Sequence, residues 1–231
     1  MDAYDLKCVA REWGADIVGV ADLERLRGIE TDPTDLLDGY TRAISVAVRL
    51  SNGVMDDIVD QPTPIYERHY AMVNAKLDDI AIRIAGLLMD HGGKALPLPA
   101  SHTLDRERLT SFLSHKAVAV AAGVGWQGKS LLLVTPAYGP RVRLNTILTD
   151  LPLTPDAPLK NRCGKCDKCA TACPAKAIKN VNTDSHYESR DQALHFSRCV
   201  DKVRNEFANL PNIGSYICGV CIAVCPWGRR S

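Results

Sequence analysis

Eight of the nine cysteines fall between Cys163 and Cys225, and their spacing is what in this chain could do chemistry. The first group runs Cys163-x2-Cys166-x2-Cys169-x3-Cys173-Pro174, and Cys218-x2-Cys221-x3-Cys225-Pro226 repeats its last part. Gaps of two bring three sulfurs to three corners of one iron–sulfur cube, while the fourth cysteine, followed by proline, turns away to serve a second cube. The second group lacks its opening cysteine, because Ser215 stands at that position, and Cys199 is left to complete the count. The crossing rule then assigns Cys163, Cys166, Cys169 and Cys225 to one [4Fe-4S] cluster and Cys173, Cys199, Cys218 and Cys221 to the other. Two zinc sites could also use eight cysteines, but the x2-x2-x3-Pro order, met twice, favours iron–sulfur. Such clusters move single electrons. Cys8 reads as a small apolar residue on a helix.

A second motif is the glycine-rich turn Gly123-Val124-Gly125-Trp126-Gln127-Gly128-Lys129-Ser130, which matches the letters of a phosphate-binding P-loop. Only about forty residues separate it from the cysteines, too few for the crossover helices of a parallel nucleotide-binding sheet. The reading preferred here is a backbone loop that approaches a large cofactor and needs glycines to do so.

The elements that must position these residues are legible from periodicity. Residues 4–13 predict a helix with Leu6, Val9 and Trp13 on one face, and Ile17–Ala21 a short strand. Ala43–Leu50 reads as a second strand followed by an Asn52-Gly53 turn. The clearest helix spans Glu67–Met89, with Tyr70, Val73, Leu77, Ile80, Ile84 and Leu87 at spacings of three and four. Ala95–Leu98, Leu131–Thr135 and Val142–Thr149 read as strands and Leu109–Ala122 as a helix. Prolines at 152, 155 and 158 mark 151–159 as a linker, dividing the chain into 1–155 and 156–231. The fold class expected is α+β.

The net charge of +1 hides an asymmetry: residues 1–159 carry 16 Lys+Arg against 21 Asp+Glu, residues 160–231 carry 12 against 6. Eight thiolates around two cluster cores would leave a negative balance for that basic excess to offset, so nucleic-acid binding does not follow from it. No apolar run is long enough for a membrane span, and the acidic start lacks a signal-peptide pattern. The expectation is a cytoplasmic protein with no membrane partner.

The chain resembles the epoxyqueuosine reductase family and, more distantly, the reductive dehalogenases. The residues that carry the resemblance are Ala121–Ser130 with Leu131-Leu132 and Tyr138-Gly139-Pro140, then Leu148-Thr149-Asp150-Leu151-Pro152-Leu153, the first cysteine run, and the terminal Cys221-x3-Cys225-Pro226-Trp227. The resemblance implies a nitroreductase-like α/β domain holding cobalamin base-off, followed by a small dicluster ferredoxin-like domain that delivers electrons to cobalt. The lower-ligand sequence Asp-x-His-x-x-Gly is absent, as binding without a protein ligand requires; Asp90-His91-Gly92 does not fit its spacing. Residues implied to line the corrinoid are His115, Lys116, Gly125, Gly128, Lys129, Ser130, Tyr138, Arg141 and Arg143. The family places an acid, its proton donor, shortly before the glycine turn. Here Leu109-Thr110-Ser111 occupies that place, leaving His102, Asp105 and His115 as catalytic proton-donor candidates. The family's C-terminal helical-repeat domain, which helps hold tRNA, is not part of this sequence, which argues against tRNA as substrate. The implied partners are an electron donor such as ferredoxin or flavodoxin, and a small-molecule substrate or a corrinoid protein. The alternative is a ferredoxin-type electron-transfer protein without corrinoid, its first domain a partner-binding module.

Overall fold

A computed structural model describes residues 1–184 and 186–229. In chain order the elements are helix α1 (Ala3–Glu12), strands β1 (Ile17–Asp22) and β2 (Arg42–Arg49), helices α2 (Asn52–Asp56) and α3 (Pro64–Asp90), strand β3 (Ala95–Leu98), helix α4 (His115–Ala121), strands β4 (Trp126–Gln127), β5 (Leu133–Val134) and β6 (Val142–Thr149), and helices α5 (Lys168–Ala172), α6 (Arg190–Ala193), α7 (Phe196–Asp201) and α8 (Val220–Ala223). Mixed helix and antiparallel sheet is the α+β class expected.

The chain packs as two compact units that interleave along the sequence. Unit 1 comprises Met1–Val48, Val73–Val124 and Arg143–Leu159; unit 2 comprises Arg49–Met72, Gly125–Val142 and the chain from Lys160 onward. A single cut at residues 155 and 156 does not describe this packing. The proline-rich stretch 151–159 is not a free linker either. Asp156 accepts the Val20 amide at 2.8 Å and the Lys7 ammonium at 2.6 Å, its own amide donates to Val20 O, and Arg25 reaches its carbonyl. These bonds make the stretch part of unit 1.

Unit 1 is built on a four-stranded sheet of order β1-β2-β6-β3, with β1–β2 and β3–β6 antiparallel. Ala43 to Val48 of β2 are buried without interruption, as for a strand covered on both faces. Asp2 caps α1, accepting the Tyr4 and Asp5 amides, and Pro64 opens α3, where a missing N–H costs nothing. Val73, Leu77, Ile80, Ile84 and Leu88 of α3 are buried; Leu88 rather than the expected Leu87 closes the stripe. Gly19 is required on β1, because a Cβ there would meet Ala122 O at 2.2 Å.

Three sequence expectations change. Asn52-Gly53 opens α2 rather than a turn, α4 begins at His115 rather than near 109, and the strand near 131–135 shrinks to β5. In unit 2 the helices after residue 160 are short, and Leu131, Tyr187, Ala193 and Leu194 form a small apolar cluster with Ile178 and Phe196 packed on it.

Candidate functional site

All eight clustered cysteines lie in unit 2 and line two cavities. The first is lined by Cys163, Cys166, Cys169, Cys221 and Cys225. The second is lined by Cys173, Cys199, Cys218 and Cys221. Each cavity therefore draws on both cysteine groups. Among the described residues no three His, Cys, Asp or Glu side chains converge tightly enough for a single metal ion. A mononuclear tetrahedral zinc site needs such convergence, whereas a ring of thiols around an open cavity suits a larger, multinuclear guest.

The surrounding residues place the sulfurs by hydrogen bonds. Asn161 Oδ1 accepts the Cys163 amide at 2.8 Å, while its Nδ2 donates to Gln127 O and Thr183 O. Gln127 Oε1 accepts the Tyr187 amide at 2.8 Å. Trp126, buried, donates Nε1 to Cys163 Sγ at 3.4 Å and stacks edge-on against Trp227 at 4.9 Å. The Ala177 amide points at Cys173 Sγ, also at 3.4 Å. Amides and ring N–H groups aimed at sulfur favour the thiolate. Glu67 takes the Gly214 and Ser215 amides and the Ser215 hydroxyl, tying down the loop ahead of Cys218. Ser215, the position of the missing cysteine, is thus a hydrogen-bonding anchor.

Burial opposes the thiolates. It pushes Cys169 and Cys218 each up to about 11, raises Cys225, and holds Cys221 well above the ordinary thiol range; neighbouring thiolates add to the effect at Cys169 and Cys221. The protein alone keeps these sulfurs protonated, so a metal guest must displace the protons and supply the positive charge. Eight thiols in two sets, with amide donors around them, fit two clusters.

The glycine turn wraps the first cavity. Gly128, Lys129 and Ser130 line it, and Ser130 also reaches the second. A Cβ on Gly128 would meet Val134 Cγ2 at 2.7 Å and lie 3.5 Å from Cys163 Sγ; one on Gly125 would meet Val134 O at 2.4 Å. The turn therefore approaches its target through backbone, as expected, but the target it faces in unit 2 is the cysteine cavity.

The other expected site residues are held elsewhere. Arg141 is 2% exposed and donates to Asn52, Asp56 and Ala223 O. Tyr138 lies under the Arg49 guanidinium. Arg143 Nε donates to Asn74, and Lys116 starts α4 beside His115. Both His115 nitrogens are engaged, one with Pro99 O at 3.0 Å and one with Thr146 Oγ1 at 2.8 Å, and burial pulls its pKa down to about 4. That is a structural, neutral histidine, not a proton donor near neutral pH. Asp105 caps its own turn through the Glu107 and Arg108 amides, which hold its carboxyl below the usual range. His102 stacks on Phe112 at 5.7 Å. All three lie in unit 1, apart in their roles from the cysteines. Trp126, Asn161 and Glu67 were not singled out from sequence; only Trp126, inside the glycine turn, carried a signal.

The fold and the paired cysteine cavities define a double-cluster iron–sulfur protein, and residues 162–228 match the 4Fe-4S double cluster binding domain. Within that class the chain is similar to epoxyqueuosine reductases. It is 33% identical over 120 residues to the epoxyqueuosine reductase of Listeria monocytogenes, a stretch covering 52% of this chain and 31% of that protein. In structure it is similar to an epoxyqueuosine reductase solved with an epoxyqueuosine-modified tRNA stem loop (TM-score 0.63, 25% identity, 98% of this chain, 65% of that one). It is similar in fold to a reductive dehalogenase described for B12-dependent dehalogenation (TM-score 0.73, 20% identity, 97% of this chain, 31% of that one). The matched stretch thus covers 31% of that reductase and 23% of a curated tetrachloroethene reductive dehalogenase of Sulfurospirillum multivorans, less than a third of either. Among the described residues no helix is long and apolar enough to cross a membrane.

Proposed function

We propose that the protein is a cytoplasmic iron–sulfur reductase whose unit 2 holds two [4Fe-4S] clusters, one on Cys163, Cys166, Cys169 and Cys225 and one on Cys173, Cys199, Cys218 and Cys221. The observation that carries this reading is that each cavity draws on both cysteine groups, Cys225 joining the first run at one and Cys173 the second run at the other, with Cys221 lining both. When bound, the clusters supply one-electron transfer. Around them Trp126 and the Ala177 amide orient sulfurs, Asn161 fixes the approach of the chain to Cys163, and Trp227 helps to close the first cavity against water.

A base-off corrinoid is proposed as the electron acceptor, and a small or modified-nucleoside-type compound as substrate, on the strength of the relatives alone. The residues expected to line a corrinoid do not add to it: Arg141, Lys129, Arg143 and His115 already have partners, and Gly125 and Gly128 are filled by Val134. No step is assigned to that group. The same observation keeps open the second reading, an electron-transfer protein that works without corrinoid.

Anaerobic reconstitution with ferrous iron and sulfide should give about eight irons per chain, as two cubes require. About four irons would refute the crossed assignment. Cob(II)alamin added to that protein should bind and give a base-off EPR signal; iron–sulfur absorbance with no cobalamin uptake would select the second reading.

A further inference from the structure

Lys129 is a buried cation with no carboxylate partner among the described residues. It is 5% exposed, stands on the wall of the first cavity, and donates from Nζ to the Cys166 carbonyl at 2.8 Å. Among the described residues no carboxylate pairs with it; the unit 2 ion pairs join Arg141 to Asp56 and Lys202 to Glu206. A buried ammonium satisfied by one carbonyl is strongly disfavoured unless a negative charge faces it. Four thiolates around a 2+ core carry a net charge of about −2, and the cavity beside Lys129 is where that charge would sit. The second cavity differs. Its lysine, Lys202, is more exposed and already paired with Glu206.

We infer that Lys129 is the built-in counter-charge of the Cys163–Cys166–Cys169–Cys225 site and raises the reduction potential there, and there alone. Reduction adds one electron to an already anionic group. A fixed cation in a poorly screened setting favours the more negative state, and cluster potentials respond to net charge and burial. The inference rests on the cluster reading above. It gives the second half of the P-loop-like motif a role other than phosphate binding: Gly128 lets the backbone come close, and Lys129 then delivers a charge.

The test uses the full chain, reconstituted anaerobically, with EPR-monitored redox titration of native protein, Lys129→Gln and Lys129→Arg. Glutamine retains an N–H donor for the Cys166 carbonyl but removes the charge; arginine keeps the charge. In Lys129→Gln one midpoint should fall while the other stays at its native value, and Lys129→Arg should restore most of the difference. Two unchanged midpoints in Lys129→Gln, or an equal shift of both, would overturn the inference. If Lys129→Gln instead loses about half its iron while Lys129→Arg keeps all of it, the counter-charge role is supported at the level of assembly; loss from both variants makes Lys129 a packing element and overturns it. Native protein with fewer than about eight irons would refute the cluster reading itself, a result separate from any effect of Lys129.

Discussion

In unit 1 the buried polar groups mostly answer one another. His115 engages Thr146 and Pro99, Asp78 accepts from the Ala100 amide and from Asn145, and Arg143 donates to Asn74. In unit 2 Gln127, Thr135 and Arg141 are paired in the same way, but Lys129 and the clustered cysteines face cavities. Lys129 holds one carbonyl, and thiols that burial keeps protonated ring two hollows. Unit 1 also has an eight-residue central strand and the Val73–Asp90 part of α3, whereas beyond residue 160 unit 2 has α-helical segments of six residues or fewer, α7 alone running on through π and 3-10 turns to Asn209. Isolated helices that short are not stable in water. The difference teaches that one unit is closed by its own side chains, while the other is shaped around a guest whose binding energy is part of its folding energy.

Removing iron is the strongest way to break this comparison. Stripping it with a chelator should abolish most hydrogen-exchange protection from residue 160 onward while residues 73–90 of α3 stay protected. Simultaneous opening of both would show that the units are not energetically distinct. Next in size is a pair of thiol substitutions. Cys221→Ser should lower bound iron from about eight to about four per chain or below, whereas Cys8→Ser, on α1, should leave iron content unchanged.

The pH dependence sharpens the comparison from the side of unit 1. His115 is held neutral, its pKa near 4 in the folded chain against an ordinary 6.5. Its depressed value means that stability is complete above about pH 6.5 and declines as pH falls towards 4, by up to about 3 kcal/mol at 1.36 kcal/mol per unit. Chemical denaturation between pH 4 and 7 should show that loss in the native protein and a flatter profile in His115→Gln. The smallest effect expected is from Gly19→Ala, where the new Cβ would press on Ala122 O. It should cost about 1–3 kcal/mol of stability, the usual range for overpacking, with cluster absorbance of the folded protein unchanged.

Long periodic elements were legible in the sequence because their burial is local and regular. The α3 stripe and strands β1, β2, β3 and β6 lie within a few residues of where the pattern of apolar residues puts them. The cysteine cavities were legible too, since ligand spacing along the chain restricts which sulfurs can meet. What periodicity could not carry was long-range hydrogen bonding. Asp156 looks like part of a proline-rich linker until Val20, Lys7 and Arg25 are seen to converge on it. Lys129, which matches a P-loop only in letters and is expected beside a corrinoid, faces the cysteines in space. His115 illustrates the converse: its residue type suggested acid–base chemistry, and two satisfied ring nitrogens removed it.

Cys221 and Ser130 line both cavities. Two paramagnetic centres in cavities that share lining residues would not behave as independent spins. On full reduction their resonances should broaden and split through dipolar and exchange interaction, and progressive power saturation should show one centre relaxing the other.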